Sequence, residues 1–247
     1  MMFRLVSVAV AMTIELIGIH GSPTAEGQFP VPSNLIALDT PGGELLLARC
    51  HYRDDFLRLM LYFETQQNLG YCGPATTAMV LNAMGVERPA SSSLGPFHFF
   101  TQENVFCDQA RAVKAPELVS REGLSLDQLG PFLEAQGIGT ETTFASETTL
   151  EAFRDVVRSV LRDRDRFLIA NYLRKEIGQE SGGHISPIAA YDEDSDRLLI
   201  LDVSRYKYPP VWAKLDEFWR AMATVEPDSG RSRGFVIVMR RVEPPRP

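Results

Sequence analysis

The stretch that decides the fold is NLGYCGPATTAMVLNAM, residues 68–84. From Pro74 to Met84 its side chains are small or apolar on nearly every side, which predicts a buried central helix. Pro74 suits the first turn of that helix, and Gly85 suits its C-terminal stop. Cys72 therefore immediately precedes a buried helix.

The position of Cys72 suits a nucleophile. Free backbone N–H groups and the positive end of the helix dipole favour the thiolate, which is the reactive species. We expect Gly70 and Gly73 to leave room for a substrate beside the sulfur. The alternative is a buried apolar cysteine, which is the commoner role of a lone cysteine.

The rest of the chain predicts an α+β protein. Upstream, Leu35–Leu38 is strand-like, and a turn at 41–43 leads to a second strand-like piece at 45–48. Helical patterns follow, and then apolar strand runs, without βαβ alternation. We expect a helical half packed on an antiparallel sheet half, with the active site in the cleft between them. The predicted helices cover 115–122, 126–136 and 150–162, and the predicted strands cover 167–173, 184–191, 197–204 and 234–240.

Gln66 lies six residues before Cys72. In a papain-like site, a glutamine at this offset donates a side-chain N–H to the oxyanion hole, together with the backbone N–H of the nucleophile. Gln67 is the neighbour most easily confused with it. For either residue the alternative is a solvated loop amide.

Among the four histidines, His184 is the candidate base, because it follows Gly182-Gly183 and opens an apolar strand. Asp202 ends the apolar part of the next strand. Pairing about the acidic turn at 192–196 places the two residues opposite each other or one diagonal step apart, on one face if the register is even. A bulge or an odd register would break this relationship. If it holds, Asp202 fixes the tautomer of His184, and the other ring nitrogen faces the thiol; otherwise Asp202 caps a turn.

Charge and cysteine usage exclude several classes of protein. The 247 residues carry 25 Lys and Arg against 32 Asp and Glu, without a cationic patch, so we expect no nucleic-acid partner. None of the three cysteines forms a CxxC pair, which argues against a structural zinc site or a thioredoxin-type centre. A bridge between Cys50 and Cys107 stays open.

Residues 1–24 resemble a secretory signal, with Arg4 before an apolar run at 5–14. The run is too short to span a bilayer, so we expect no stable membrane association. Glu15 interrupts the apolar run, so the alternative that residues 1–24 are not a secretory signal stays open. The prediction is a periplasmic or secreted protein if the signal is real and a cytoplasmic one otherwise, with a catalytic domain over 25–247 and its core at about 34–242.

Three segments together resemble the bacterial phytochelatin synthases, glutathione γ-glutamylcysteinyltransferases of the papain-like cysteine peptidase superfamily. They are TQQNLGYCGPATTAMVLNAMG (65–85), NYLRKEIGQESGGHISPIAAY (171–191) and LLILDVSRYKYPPVWAKLDEFWRAM (198–222). The resemblance covers about residues 34–240. It implies that Cys72 is the nucleophile, His184 the general base and acid, Asp202 its orienting partner and Gln66 the oxyanion donor.

The resemblance also implies a substrate, glutathione, and residues that bind it. The positions that match are Asn171, Arg174 and Arg233, and we add Gly183 and Tyr206. An arginine fork can hold the free α-carboxylate of the γ-glutamyl group with two hydrogen bonds. Arg231 is an alternative to Arg233, and surface ion pairs are the alternative role for Arg174 and Arg233.

The implied reaction cleaves the Cys–Gly amide of glutathione through a thioester on Cys72. The acyl group then passes to a second glutathione or to water. Eukaryotic members of the family carry a Cys-rich C-terminal domain, and we expect this protein not to have one. We therefore expect no metal site and no cofactor. Cadmium or zinc would enter as glutathione thiolate complexes in metal detoxification. The alternatives are a papain-like peptidase acting on a peptide leader and a non-enzymatic thiol- or metal-binding protein. A homodimer is left open.

Overall fold

The computed structural model describes residues 27–90, 95–180 and 182–241. The predicted secretory segment at 1–24 lies outside these residues. Within the described part of the chain, no helix combines the length and the apolar character needed to cross a bilayer.

One antiparallel sheet of seven strands forms the centre of the molecule, in the order β1-β6-β5-β4-β3-β7-β2. Its middle strands are the long apolar runs, and they are buried on both faces, which explains why their sequences do not alternate with polar residues. The strands are β1 (Ile36–Ala37), β2 (Gly139–Phe144), β3 (Arg166–Leu173), β4 (Gly183–Asp192), β5 (Arg197–Ile200), β6 (Val211–Lys214) and β7 (Gly234–Met239).

Helices cover both faces of this sheet. The first core includes α3 and α6 on one face, and the second includes α7 and α8 on the other. The predicted α+β class is confirmed, but the helices do not form a separate half beside the sheet. The helices are α1 (Pro41–Arg49), α2 (Asp54–Met60), α3 (Cys72–Met84), α4 (Asp108–Val113), α5 (Pro116–Glu122), α6 (Leu126–Glu134), α7 (Leu150–Val160) and α8 (Leu215–Ala223).

The predicted central helix is α3, and every residue in it except Ala83 is buried. It begins at Cys72, two residues earlier than predicted, so the cysteine is part of its first turn. Gly85 ends the helix in the left-handed conformation with φ of 64°, as its position suggested.

The predicted second strand-like piece at 45–48 is wrong, because these residues form α1. Thr40 caps the helix by accepting a hydrogen bond from the Gly43 N–H at 3.2 Å, and Pro41 occupies its first turn. A short apolar run fits a strand or a helix equally well, and here the cap determines the outcome. The other predicted helices begin within one residue of the prediction and end up to two residues early.

The β4–β5 hairpin contains a bulge that determines the register near the candidate site. Close to the turn, Asp192 pairs with Arg197 and Ala190 pairs with Leu199, an odd register. Beyond an irregularity between Ile188 and Ala190, Ile188 pairs with Ile200, an even register. β5 ends at Ile200, short of the predicted end at residue 204, and extending its even register by two residues puts Asp202 on the same face as His184. We expected a bulge to break this relationship, and instead it establishes it.

Candidate active site

Cys72 is tied to the first residues of β4. The backbone N–H of Ile185 is close enough to the sulfur to act on the pKa of the thiol, and Thr76, one turn further along α3, donates its hydroxyl to the Ile185 carbonyl at 3.3 Å. Ile185 follows His184 directly. The helix start and the strand start therefore hold the thiol beside the residue predicted to be its base.

Cys72 is only 7% exposed, and burial raises the pKa of its thiol. The Ile185 N–H and the charge of Arg174 act in the opposite direction but do not overcome burial. Burial therefore opposes the thiolate that the helix terminus was expected to favour. The sulfur needs a base to remove its proton.

The two glycines that flank Cys72 are explained by packing. A Cβ on Gly70 would lie 2.7 Å from the Ser120 carbonyl oxygen, and a Cβ on Gly73 would lie 2.8 Å from Cδ1 of Leu124. Both positions are already filled by neighbouring protein atoms. The expectation that these glycines leave room for substrate is therefore wrong.

His184 and Asp202 form the centre of a buried polar cluster, with exposures of 4% and 0%. Nε2 of His184 lies 2.8 Å from Oδ1 of Asp202, although the ring N–H is not aligned well enough for a regular hydrogen bond. Oδ1 also accepts the backbone N–H of Ser204 at 2.8 Å, so the alternative role of Asp202 in capping a turn holds as well. The structure brings together the predicted base and its predicted orienting residue.

The surroundings of Asp202 and His184 lower the pKa of both side chains. Burial opposes ionisation of Asp202, but His184 and Arg174 hold the pKa of its carboxyl below the usual range. Burial and the charge of Arg174 lower the pKa of His184, and Asp202 compensates only in part. At neutral pH the site therefore holds a carboxylate and a neutral imidazole, which is the form that accepts a proton.

Arg174 makes contacts that the sequence did not indicate. It is 3% exposed, its Nη2 donates to Oδ1 of Asp202 at 2.8 Å, and its Nη1 lies 2.6 Å from Oδ2. Nη1 also donates to Oε1 of Gln179 at 2.8 Å. The guanidinium fork is thus engaged by a protein carboxylate, which corrects the expectation that it is open to a substrate carboxylate.

Gln66 lies beside the backbone that leads into Cys72. Its Nε2 donates to the Asn68 carbonyl at 2.7 Å and to the Tyr206 hydroxyl at 3.1 Å. The same carbonyl accepts the Tyr71 N–H at 3.2 Å. Both N–H groups of the amide are therefore engaged, so the Tyr206 hydroxyl would have to yield before Gln66 could serve as an oxyanion donor.

Burial separates Gln66 from its neighbour Gln67. Gln66 is 3% exposed, whereas Gln67 is an exposed residue whose Nε2 donates to Glu103. The alternative of a solvated loop amide thus describes Gln67.

Arg233 and Asn171 are buried and incompletely paired. Nη1 of Arg233 donates to the Val225 carbonyl at 3.0 Å, but its Nε has no partner among the described residues. Asn171 donates to Glu226 at 3.1 Å, and its Oδ1 likewise has no partner there. Buried polar atoms are usually hydrogen-bonded, so Nε of Arg233 and Oδ1 of Asn171 are candidates to bind a polar ligand.

Gly183 connects this pair of residues to His184. A Cβ on Gly183 would lie 2.9 Å from Nη2 of Arg233, so the guanidinium lies against the backbone at the start of β4. The alternative Arg231 is half exposed and pairs with Glu147 at 2.6 Å. Of the two arginines, only Arg233 is buried next to the cluster.

Tyr206 lies at the border between the polar cluster and a large groove. Its side chain is 39% exposed, and it lines a mostly apolar depression of about 1280 Å³ that also includes Phe29, Phe63 and Arg205. Cys72, His184 and Asp202 are not part of this lining. The groove is therefore adjacent to the cluster and distinct from it.

The remaining cysteines do not form a bridge, since Cys50 and Cys107 are both free. Across the residues that the structure describes, no group of three or more His, Cys, Asp or Glu side chains is arranged to hold a metal ion.

Sequence reasoning missed Ser204 and Glu226. Ser204 contacts both Asp202 and Gln66, and Glu226 contacts Asn171. No spacing rule links these pairs. The only signal for Ser204 was its position two residues after Asp202.

The fold and the cluster define an α+β protein with a buried thiol at a helix start beside a histidine–aspartate pair. Residues 27–235 match the family model described as phytochelatin synthase, and the chain belongs to this family.

The curated proteins to which this chain is similar are named glutathione gamma-glutamylcysteinyltransferase. The chain is 35% identical over 185 residues to glutathione gamma-glutamylcysteinyltransferase 3 of Lotus japonicus, which covers 75% of this chain and 37% of the relative. It is 33% identical over 187 residues to glutathione gamma-glutamylcysteinyltransferase 1 of Arabidopsis thaliana, covering 76% and 37%. For the Schizosaccharomyces pombe glutathione gamma-glutamylcysteinyltransferase the identity is 26% over 211 residues, covering 84% and 50%. The chain thus spans between about a third and a half of the length of these relatives.

Proposed function

We propose that this protein is a thiol acyltransferase that cleaves the Cys–Gly amide of glutathione through a γ-Glu-Cys thioester on Cys72. The observation that carries the proposal is the placement of the buried thiol against Ile185, next to His184, whose ring lies 2.8 Å from Asp202. Family membership and the names of the relatives supply the substrate. We also propose that the site is papain-like in arrangement.

The first step begins with proton transfer from the thiol. Nε2 of His184 faces Asp202, which leaves Nδ1 to take the proton of Cys72. The sulfur then attacks the carbonyl carbon of the Cys–Gly amide. As the S–C bond forms and the C–N bond breaks, His184 returns the proton to the departing glycine amine. A γ-Glu-Cys thioester remains on the enzyme.

The electrostatics of the cluster support this order of events. A thiol with a raised pKa and an imidazole with a lowered pKa do not form an ion pair readily by themselves. The Asp202 carboxylate stabilises the imidazolium once it forms. The backbone N–H of Cys72 and a released N–H of Gln66 would stabilise the oxyanion.

The acyl group requires an anion site, and Arg233 supplies it. Its unpaired Nε and the adjacent Gly183 backbone place a buried cation next to His184. The α-carboxylate of the γ-glutamyl group can pair with that guanidinium, and the unpaired Oδ1 of Asn171 can accept from the α-ammonium. In this mechanism Arg174 does not bind the substrate but influences His184 through its ion pair with Asp202.

The acceptor determines which product appears. Water releases γ-Glu-Cys, and the amine of a second glutathione gives a longer γ-Glu-Cys peptide. Both acceptors use the same three catalytic side chains. Heavy-metal ions would enter as thiolate complexes of glutathione, as part of the substrate.

The test is incubation with glutathione, with and without cadmium, followed by mass analysis of the products. Glycine with γ-Glu-Cys indicates hydrolysis, and (γ-Glu-Cys)2-Gly indicates transfer. Cys72→Ala should lose both activities, while the matched variants Cys50→Ser and Cys107→Ser should retain them. A trapped acyl group on the peptide containing Cys72 supports the proposal. Full turnover by Cys72→Ala, or no glycine release by the wild type, overturns it.

Location and assembly are proposed on the sequence alone. We propose secretion directed by residues 1–24, which N-terminal sequencing of the protein expressed in a bacterium tests by finding or not finding that segment removed. Light scattering determines whether the chain is a monomer or a homodimer.

A further inference from the structure

We infer that Ser204 is a positioning residue that holds the Gln66 amide with its N–H groups toward the Asn68 carbonyl, in the loop that leads into Cys72, and the Tyr206 hydroxyl. Its hydroxyl donates to Oε1 of Gln66 at 2.7 Å, and both side chains are buried, at 3% exposure each. A glutamine amide has one accepting end and one donating end, so occupying the accepting end determines where the donors point.

Two contacts determine this orientation of the amide. The Asn68 carbonyl can only accept, so the amide end that lies 2.7 Å from it must be the nitrogen. The oxygen end therefore faces Ser204, whose hydroxyl can donate. The backbone N–H of Gln66 also donates to the Val203 carbonyl at 2.9 Å, which fixes the base of the side chain to the same segment.

The segment 202–204 thereby joins both halves of the proposed machinery. The Ser204 backbone N–H donates to Oδ1 of Asp202, while its side chain holds Gln66. Replacing the side chain leaves the backbone contact to Asp202 in place. Ser204→Ala should therefore affect the oxyanion donor without affecting the histidine–aspartate pair.

The inference rests on the proposed function for its kinetic consequence and on geometry alone for the orientation of Gln66. The kinetic arm measures glycine release from glutathione. Ser204→Ala should lower kcat at least about tenfold, less than the roughly hundredfold or more that loss of a whole oxyanion donor costs. KM and the pH profile should not change, because substrate binding and His184 are untouched. Ser204→Thr, which keeps the hydroxyl, should restore most of the rate.

A double-variant comparison separates positioning from a purely structural role. In a Gln66→Ala background, Ser204→Ala should cause no further loss of kcat, since the residue on which it acts is gone. Ser195→Ala removes a hydroxyl that donates to Asp192 at the other end of the β4–β5 hairpin, and it serves as the matched control. Equal losses of kcat in the wild-type and Gln66→Ala backgrounds overturn the inference.

The structural arm follows the side-chain amide protons of Gln66 by NMR in protein labelled with nitrogen-15, assigned as the signals absent from Gln66→Ala. Their exchange with solvent should be at least about tenfold faster in Ser204→Ala and unchanged in Ser195→Ala. Unchanged exchange in Ser204→Ala overturns the inference. If the wild type releases no glycine from glutathione, the proposed function fails, and this arm still decides the role of Ser204.

Discussion

Arg174 and Asp202 form a buried ion pair, with 2.6 Å between Nη1 and Oδ2 and a second contact of 2.8 Å from Nη2 to Oδ1. His184 approaches the same carboxylate at 2.8 Å. Arg174, which is cationic, and His184, which becomes cationic when protonated, thus share one buried carboxylate. Their competition sets the protonation state of the histidine.

Replacing Asp202 by Asn should lower kcat by about a hundredfold or more, because the imidazolium formed during catalysis loses its carboxylate. Steady-state glycine release from glutathione measures the effect. Asp192→Asn is the matched control, since Asp192 is a buried carboxylate paired with Arg49 at 2.6 Å at the far end of the same hairpin. Equal losses in the two variants would point to a folding effect and contradict a catalytic role for Asp202.

The acid limb of the kcat/KM profile should lie below pH 6.5, the ordinary pKa of histidine, because burial and Arg174 lower the pKa of His184. Activity requires the neutral ring and is therefore lost as pH falls through this lowered value. Arg174→Gln removes one lowering charge, so its acid limb should move to higher pH. A limb that stays in place or moves to lower pH in this variant would show that Arg174 does not act on His184. The thermal midpoint of each variant serves as the folding check.

Arg233→Met should raise KM for glutathione by about tenfold to a hundredfold, the effect expected for losing a hydrogen-bonded ion pair of about 1.5–3 kcal/mol. The change in kcat should be smaller. Arg231→Met is the control, because that side chain is half exposed and pairs with Glu147 outside the cluster. If Arg231→Met raises KM as much as Arg233→Met does, the assignment of the anion site is wrong.

Asp55 should make the protein less stable as pH rises. This carboxyl is fully buried, neither oxygen has a hydrogen-bond partner among the described residues, and burial raises its pKa to about 8. Arg58 lies 3.5 Å away, but its guanidinium donates to the Arg164 and Ala83 carbonyls, so we take burial as the dominant effect.

Between about pH 4 and 8 the folded state keeps the Asp55 proton that the unfolded state has lost, so stability decreases with rising pH. Relative to the wild type, Asp55→Asn should therefore gain up to about 1.4 kcal/mol of unfolding free energy per pH unit in this range. Urea unfolding at several pH values measures the difference. Asp54→Asn, at the exposed neighbouring position, should show no such trend. A constant difference between Asp55→Asn and the wild type would rule out a protonated Asp55.

Local patterns were sufficient for the elements with strong signals. The apolar run after Cys72 predicted α3, Gly85 predicted its end, and the late apolar runs predicted the central strands. They failed where a short apolar run fits two structures, as at 45–48, where the Thr40 cap selects a helix. The sequence also did not predict that helices cover both faces of the sheet, because no single segment specifies the face against which a helix packs.

The candidate site divides in the same way. Cys72, His184, Asp202 and Gln66 could be chosen from residue type and position, and the structure brings His184 next to Asp202 and Gln66 next to the Cys72 loop. Their surroundings could not be chosen in this way. The burial that raises the pKa of Cys72, the engagement of Arg174 with Asp202, and the Ser204 contact all arise between segments far apart in the chain.

The sequence by itself determined the chemistry that is available: one cysteine at the start of a buried helix, one histidine at the start of a strand, and one aspartate just after the next strand. Only the tertiary structure decided which charges meet, because a bulge one residue long sets the face of a whole strand end. It also decided which groups lose water, and the burial of Cys72 raises the pKa of its thiol. Both effects depend on distances through space, which residue order does not specify.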